Sequence, residues 1–247
     1  MKRTALFLFL LALDFCGAQA LPAPFPPTPA QSDWADGQQD FVVDPRLGNR
    51  APALTISSAQ LRHRPPRKAV NAFLRGVKYT AAHDWTKSQQ EFKKAVEADP
   101  EFSEAHGDLG AVYSYLHSYE DASTEFRRAI ELDPSTGVYH SNLAFVLIQL
   151  DQPAEAEREA QTAVSLIPDN LVAHYILGCL LARNPATESV GERHLIYAAR
   201  QIPDAHLVLA QLYNSRGATE LGAAEMERYR QATANWPGAQ SQPGTQE

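Results

Sequence analysis

Cysteine is almost missing from this chain: 247 residues contain two, Cys16 and Cys179. Two thiols, one of them inside a candidate export signal, leave no internal disulfide framework, so the folded part must be held by packing. Enzyme signatures are equally scarce. There is no P-loop, HExxH, GxSxG or CxxC, and carboxylates such as Glu155, Glu157 and Glu159 recur at spacings that read as a solvated helix face. Basic excess is lacking too. The formal net charge is −7, which opposes a general nucleic-acid or anionic-membrane binder. No N-x-[ST] sequon occurs, a weak pointer toward a bacterial exported protein. Long apolar runs are confined to the start, where Ala5 to Leu13 is too short to span a bilayer.

That short run has its own meaning. Lys2 and Arg3 precede it and Ala18-Gln19-Ala20 follows, the charge, apolar and small-residue order of a cleaved export signal. Residues 1–20 are therefore read as a signal peptide, and the chain as periplasmic or secreted without stable membrane insertion. Lipidation at Cys16 is disfavoured, because Asp14 and Phe15 stand where a lipobox wants small residues. Residues 21–66 open on LPAPFPPTPAQ and read as a proline-rich, mostly disordered leader, in which Phe41-Val42-Val43 and Leu54-Thr55-Ile56 are candidates for paired short strands. Residues 237–247 read as a disordered polar tail.

What is abundant is repetition. EFKKAVEADP at 91–100 returns as EFRRAIELDP at 125–134, 34 residues later. Units beginning at Ala69, Ser103, Gly137 and Leu171 carry a small residue at the eighth position (Gly76, Gly110, Ala144, Gly178). Alanine or serine stands at the twentieth (Ser88, Ala122, Ala156), and Pro100, Pro134 and Pro168 end the units. Each unit splits into two apolar stripes at helical spacing. Small residues at eight and twenty let the two helices cross closely, and Phe126 fills space beside that crossing. Ser118 is a candidate hydroxyl cap, and Pro153 suits the first turn of its helix. In the fourth unit Gly191, Ala198 and Pro203 arrive one residue late, which places an insertion in the turn at Asn184-Pro185-Ala186. One helix pair cannot bury its own apolar faces, so such pairs stack.

Leu109-Gly110, Tyr113, Ala122, Phe126, Ala129 and Pro134 together resemble the tetratricopeptide repeat. The lead-in ISSAQLRHRPPRKAVNAFLRG is similar to that of some exported bacterial members. The resemblance implies an all-α helix-turn-helix solenoid of about four to five repeats over 67–236. Units fall near 69–102, 103–136, 137–170, 171–203 and an irregular 204–236. The family tryptophan at position four is replaced by Ala72, His106, His140 and His174, and His206 follows in the last unit. Read as a metal ladder, these histidines fail, since equivalent positions in adjacent repeats lie about 10 Å apart and one ion needs ligands at about 2 Å. They are read as core imidazoles. No catalytic, cofactor or metal role is assigned to any residue.

The resemblance also implies a concave groove lined by the first helix of each unit, with Phe73, Val77, Tyr115, Ser141, Phe145, Ile148, Tyr175 and Cys179 as partner-binding residues. Of a carboxylate clamp only Asn142 remains. The expected function is a non-catalytic scaffold or adaptor holding a polypeptide segment of a protein partner. A self-associating structural protein and a carrier of a small apolar ligand are the competing readings. The first predicts burial of the same aromatics in a homo-oligomer. Packing of residues 40–60 onto the groove would also occupy it.

Overall fold

The computed structural model describes residues 63–234, and these form ten helices with no strand among the described residues. The helices are α1 (Arg67–Ala81), α2 (Trp85–Ala98), α3 (Ser103–Tyr115), α4 (Tyr119–Leu132) and α5 (Gly137–Gln149). Then come α6 (Pro153–Leu166), α7 (Leu171–Leu181), α8 (Glu188–Ala198), α9 (Pro203–Ser215) and α10 (Thr219–Ala234). The fold is all-α and built from helix–turn–helix repeats. The expected signal peptide, the leader through residue 62 with its candidate strands, and the expected tail from residue 237 fall outside the described residues. The chain divides into two compact units, one ending at Ala173 and one beginning at His174.

In the first unit each pair closes on its small residues. A Cβ at Gly76 would stand 2.7 Å from the Phe92 ring, and one at Gly110 would stand 2.9 Å from Phe126. Both phenylalanines are fully buried, so the eighth-position glycine is the seat of the ring at position twenty-four. The twentieth position also meets the eighth, because Ser88 Oγ donates to the Gly76 carbonyl at 3.1 Å. Asp99 and Asp133 explain the recurrent Asp-Pro. Each is buried after its helix, and its Oδ1 accepts a main-chain N–H two residues on, from Glu101 and Ser135, at 3.2 Å in both cases.

The turns inside the pairs share one closure. Asp84 N–H donates to Tyr79 O, Ser118 N–H to Tyr113 O and Gln152 N–H to Leu147 O, a bond that spans a left-handed residue. That residue is His83, His117 or Asp151, with φ between 56° and 59°. The second unit closes α9 in the same way but places Gly217 there, at φ 78°. A side chain in this conformation is strained, whereas glycine is not. Asp151→Gly is therefore expected to stabilise the first unit by about 0.5–1 kcal/mol. A denaturant midpoint that is unchanged or lower would contradict this.

Two expectations are corrected. Ser118 makes no side-chain cap bond, although Glu120 and Asp121 do stand in the first turn of α4; Asp84 does cap α2, accepting from Lys87 N–H at 3.1 Å, and Asn170 caps α7, accepting from Ala173 N–H at 3.0 Å. Pro203 does not end the fourth unit as Pro100 ends the first. It is the first residue of α9, because α8 stops at Ala198 and lacks the last turn that α2, α4 and α6 possess. The last pair thus starts in register, with His206 at position four. The extra residue near Asn184 lies in the longer turn between α7 and α8, and Pro153 occupies the first turn of α6.

Candidate functional site

The first helices of the pairs differ in kind from the second. In α5 the residues Tyr139, His140, Ser141 and Leu143 through Leu147 are all buried, whereas α4 buries only Ala122, Phe126 and Ala129. A helix buried on nearly every side has no polar stripe from which an open face could be read.

The residues of the first unit expected to line a groove consequently fall into two sets. Phe73, Val77, Ser141 and Phe145 are buried, each 3–5% exposed. Phe73 lies against Phe92 and Phe102, with ring centroids at 5.5 and 5.0 Å, so it joins α1 to α2 and to the start of α3. Ser141 Oγ donates to Val138 O at 3.0 Å. Tyr115 and Ile148 are half-buried and sit near the C-terminal ends of α3 and α5. Tyr115 stacks on half-buried Trp85, centroids 3.8 Å apart. Beside Ile148, Nε2 of Gln149 is buried without a hydrogen-bond acceptor among the described residues. An amide donor left in that state costs about 1–3 kcal/mol. Gly107, whose position five would line the groove, instead accommodates Tyr139: a Cβ there would come within 2.5 Å of that ring. Burial near Glu104, Asp108 and Asp133 pushes the Tyr139 phenol well above the usual tyrosine range.

In the second unit Tyr175 and Cys179 on α7 are both buried. Among the described residues no three His, Cys, Asp or Glu side chains gather as a metal ion would require. No described helix is long and apolar enough to cross a membrane.

Three of the position-four histidines, buried His106 and His140 and half-buried His206, meet glutamates that the sequence reading did not identify. His106 Nδ1 meets Glu125 Oε2 at 2.6 Å and its Nε2 faces Pro100 O at 3.2 Å. His140 repeats this with Glu159 and Pro134, and His206 pairs with Glu225 at 2.6 Å. The signal was present, since Glu91, Glu125 and Glu159 recur in step with the repeat. Each imidazole ties the first helix of its pair to the second.

Comparison with known proteins agrees with this geometry. A family model for the tetratricopeptide repeat matches residues 103–136. No curated protein sequence matches the chain. Among solved structures, YrrB, described as a TPR protein with an unusual peptide-binding site, is 20% identical with a TM-score of 0.55, covering 68% of this chain and 87% of its own. PilW, described as a widely conserved type IV pilus biogenesis factor, is 20% identical with a TM-score of 0.60, covering 69% and 80%. MamA from Desulfovibrio magneticus is 16% identical with a TM-score of 0.60, covering 70% and 99%. The chain is a tetratricopeptide repeat protein by fold, and residues 103–136 are one such repeat.

Proposed function

We propose that this protein is an exported, non-catalytic adaptor that holds an extended polypeptide segment against the first helices of its N-terminal unit. The observation that carries the reading is apolar surface left open at the C-terminal ends of otherwise buried first helices, at half-buried Ile148 of α5 and at half-buried Tyr115 of α3 stacked on Trp85. An apolar side chain of a bound segment would cover Ile148. Tyr115 on Trp85 supplies a rigid aromatic contact at the matching end of α3. Phe73, Val77, Ser141 and Phe145 would underlie this surface as its packed support. The peptide-binding site named for YrrB supports a polypeptide ligand for the fold. Export to a bacterial envelope rests on the N-terminal signal pattern.

Phe145→Glu is a poor probe, because burying a carboxylate there would unfold the unit. Ile148→Glu tests the surface instead. The expected outcome is at least a tenfold loss of affinity for peptides selected on the wild-type chain, with helicity unchanged, equivalent to about 1.4 kcal/mol. Undiminished binding would remove Ile148 from the site. Light scattering across concentration separates the main alternative: a constant monomer mass keeps the surface available, and a stable dimer moves it into a self-interface. Extractable ligand in the purified chain would favour the small-ligand carrier.

A further inference from the structure

Three of the position-four histidines meet a glutamate on the following helix, but His174 meets a second histidine. Its Nδ1 lies 2.8 Å from Nδ1 of His194, and the rings are 4.9 Å apart. A hydrogen bond between two such nitrogens needs an N–H on one and a lone pair on the other. If both rings take up protons, two N–H groups and two positive charges face each other across that gap.

The surroundings sharpen the effect. Tyr197 of α8 stacks on the His174 ring at 4.3 Å, and the Arg200 guanidinium lies 5.0 Å from the Tyr197 centroid. Arg193 is adjacent to His194 in sequence. The carboxylate of Glu192 is taken by Arg216 and by Tyr213 of α9. Also on α9 are Asp204 and His206, the latter held by Glu225 of α10. The helices that the pair joins have no slack, since α7 and α8 cross at Gly178 and Gly191. A Cβ on Gly191 would stand 2.5 Å from the main-chain nitrogen of Ala182. A small separation of α7 from α8 therefore opens tightly fitted backbone to water.

We propose that the His174–His194 pair is an acid-sensitive latch between α7 and α8, closed while at least one ring is neutral and opened when both are protonated. This makes α7–α8 the helix pair that loosens first on acidification. Burial, then the like charges of His174 and Arg193, hold His194 below the usual histidine range. A histidine whose folded value is depressed contributes stability that is present above its unfolded value, about 6.5, and lost as pH falls through the folded one. The window is therefore below about pH 6.5. The pairing rule of the other repeats supplies the control, because His194→Glu gives His174 the carboxylate partner that His106, His140 and His206 have.

The test is hydrogen exchange on the full chain at pH 7.5, 6.5 and 5.0, corrected for intrinsic rates, in wild type, His194→Glu and His194→Gln. The expected result is that wild-type α7–α8 amides lose protection relative to those of α3–α4, by up to about tenfold per pH unit for one extra proton bound on opening. Both variants should abolish that difference, and the glutamine variant decides the matter if the glutamate variant folds poorly. An unchanged pH dependence in the variants, or α3–α4 loosening in step with α7–α8 in wild type, overturns the latch.

Discussion

Gly191→Ala is expected to destabilise the second unit by about 3 kcal/mol, the upper end of what overpacking costs. The reason is the identity of the neighbours. Most close glycines among the described residues face a ring or an alkyl side chain, which can turn aside. At Gly191 the added methyl would meet Ala182 N at 2.5 Å, Gly178 O at 2.9 Å and the carbonyl carbon of Leu181 at 2.9 Å. These are main-chain atoms of α7 and of the turn that follows it, so relief requires moving a helix. The turn to α8 is the longest inside any pair, so the helices would part there rather than adjust. Amide exchange across 174–198 should accelerate strongly, with circular dichroism showing partial loss of helix at lower denaturant. A change below about 1 kcal/mol would mean the α7–α8 crossing is looser than these distances state.

Phe126→Ala should cost the first unit about 3–5 kcal/mol, the usual range for deleting a buried phenylalanine ring. The ring is fully buried and its edge rests on Gly110, which no side chain can refill. The two sites are coupled, and the coupling has a sign. Gly110→Ala alone should destabilise, because its Cβ would press on Phe126 at 2.9 Å. In the Phe126→Ala background the same methyl enters vacated space and should be neutral or stabilising. A double-mutant cycle from denaturant unfolding reads the difference directly, and simple additivity would deny that this glycine and this ring are one packing unit.

Much of this fold was legible because repetition checks itself. Gly76, Gly110 and Gly178 mark the same crossing three times, and the extra residue near Asn184 declares itself by delaying Gly191 and Ala198. The misreading of Pro203 has a physical origin. A proline suits both the stop after a helix and the first turn of the next, and only the missing final turn of α8 distinguishes them. Ser118 shows the same ambiguity, as a hydroxyl in the right place that makes no cap bond.

The candidate site was legible in register but not in depth. Family positions place Phe145 and Ile148 on one face, yet one is buried and the other half-open. Nothing in the run Phe145 to Ile148 distinguishes them, because four apolar residues follow one another. The unmet amide of Gln149 depends on what surrounds it in space, which no spacing rule reports. The histidine–glutamate ties were the opposite case: the register that aligned the histidines also aligned their partners.

The central claim is that the first unit's first-helix face takes up a polypeptide at Ile148. Its most direct test is to place a photocrosslinking amino acid at 148 in the full chain, and for comparison at Arg158 on exposed α6, in the presence of peptides selected for binding. Crosslinked peptide is expected at 148, competed by unlabelled peptide, and none above background at 158. Equal crosslinking at both positions, or crosslinking at 158 alone, would contradict it and place the binding surface elsewhere on the chain.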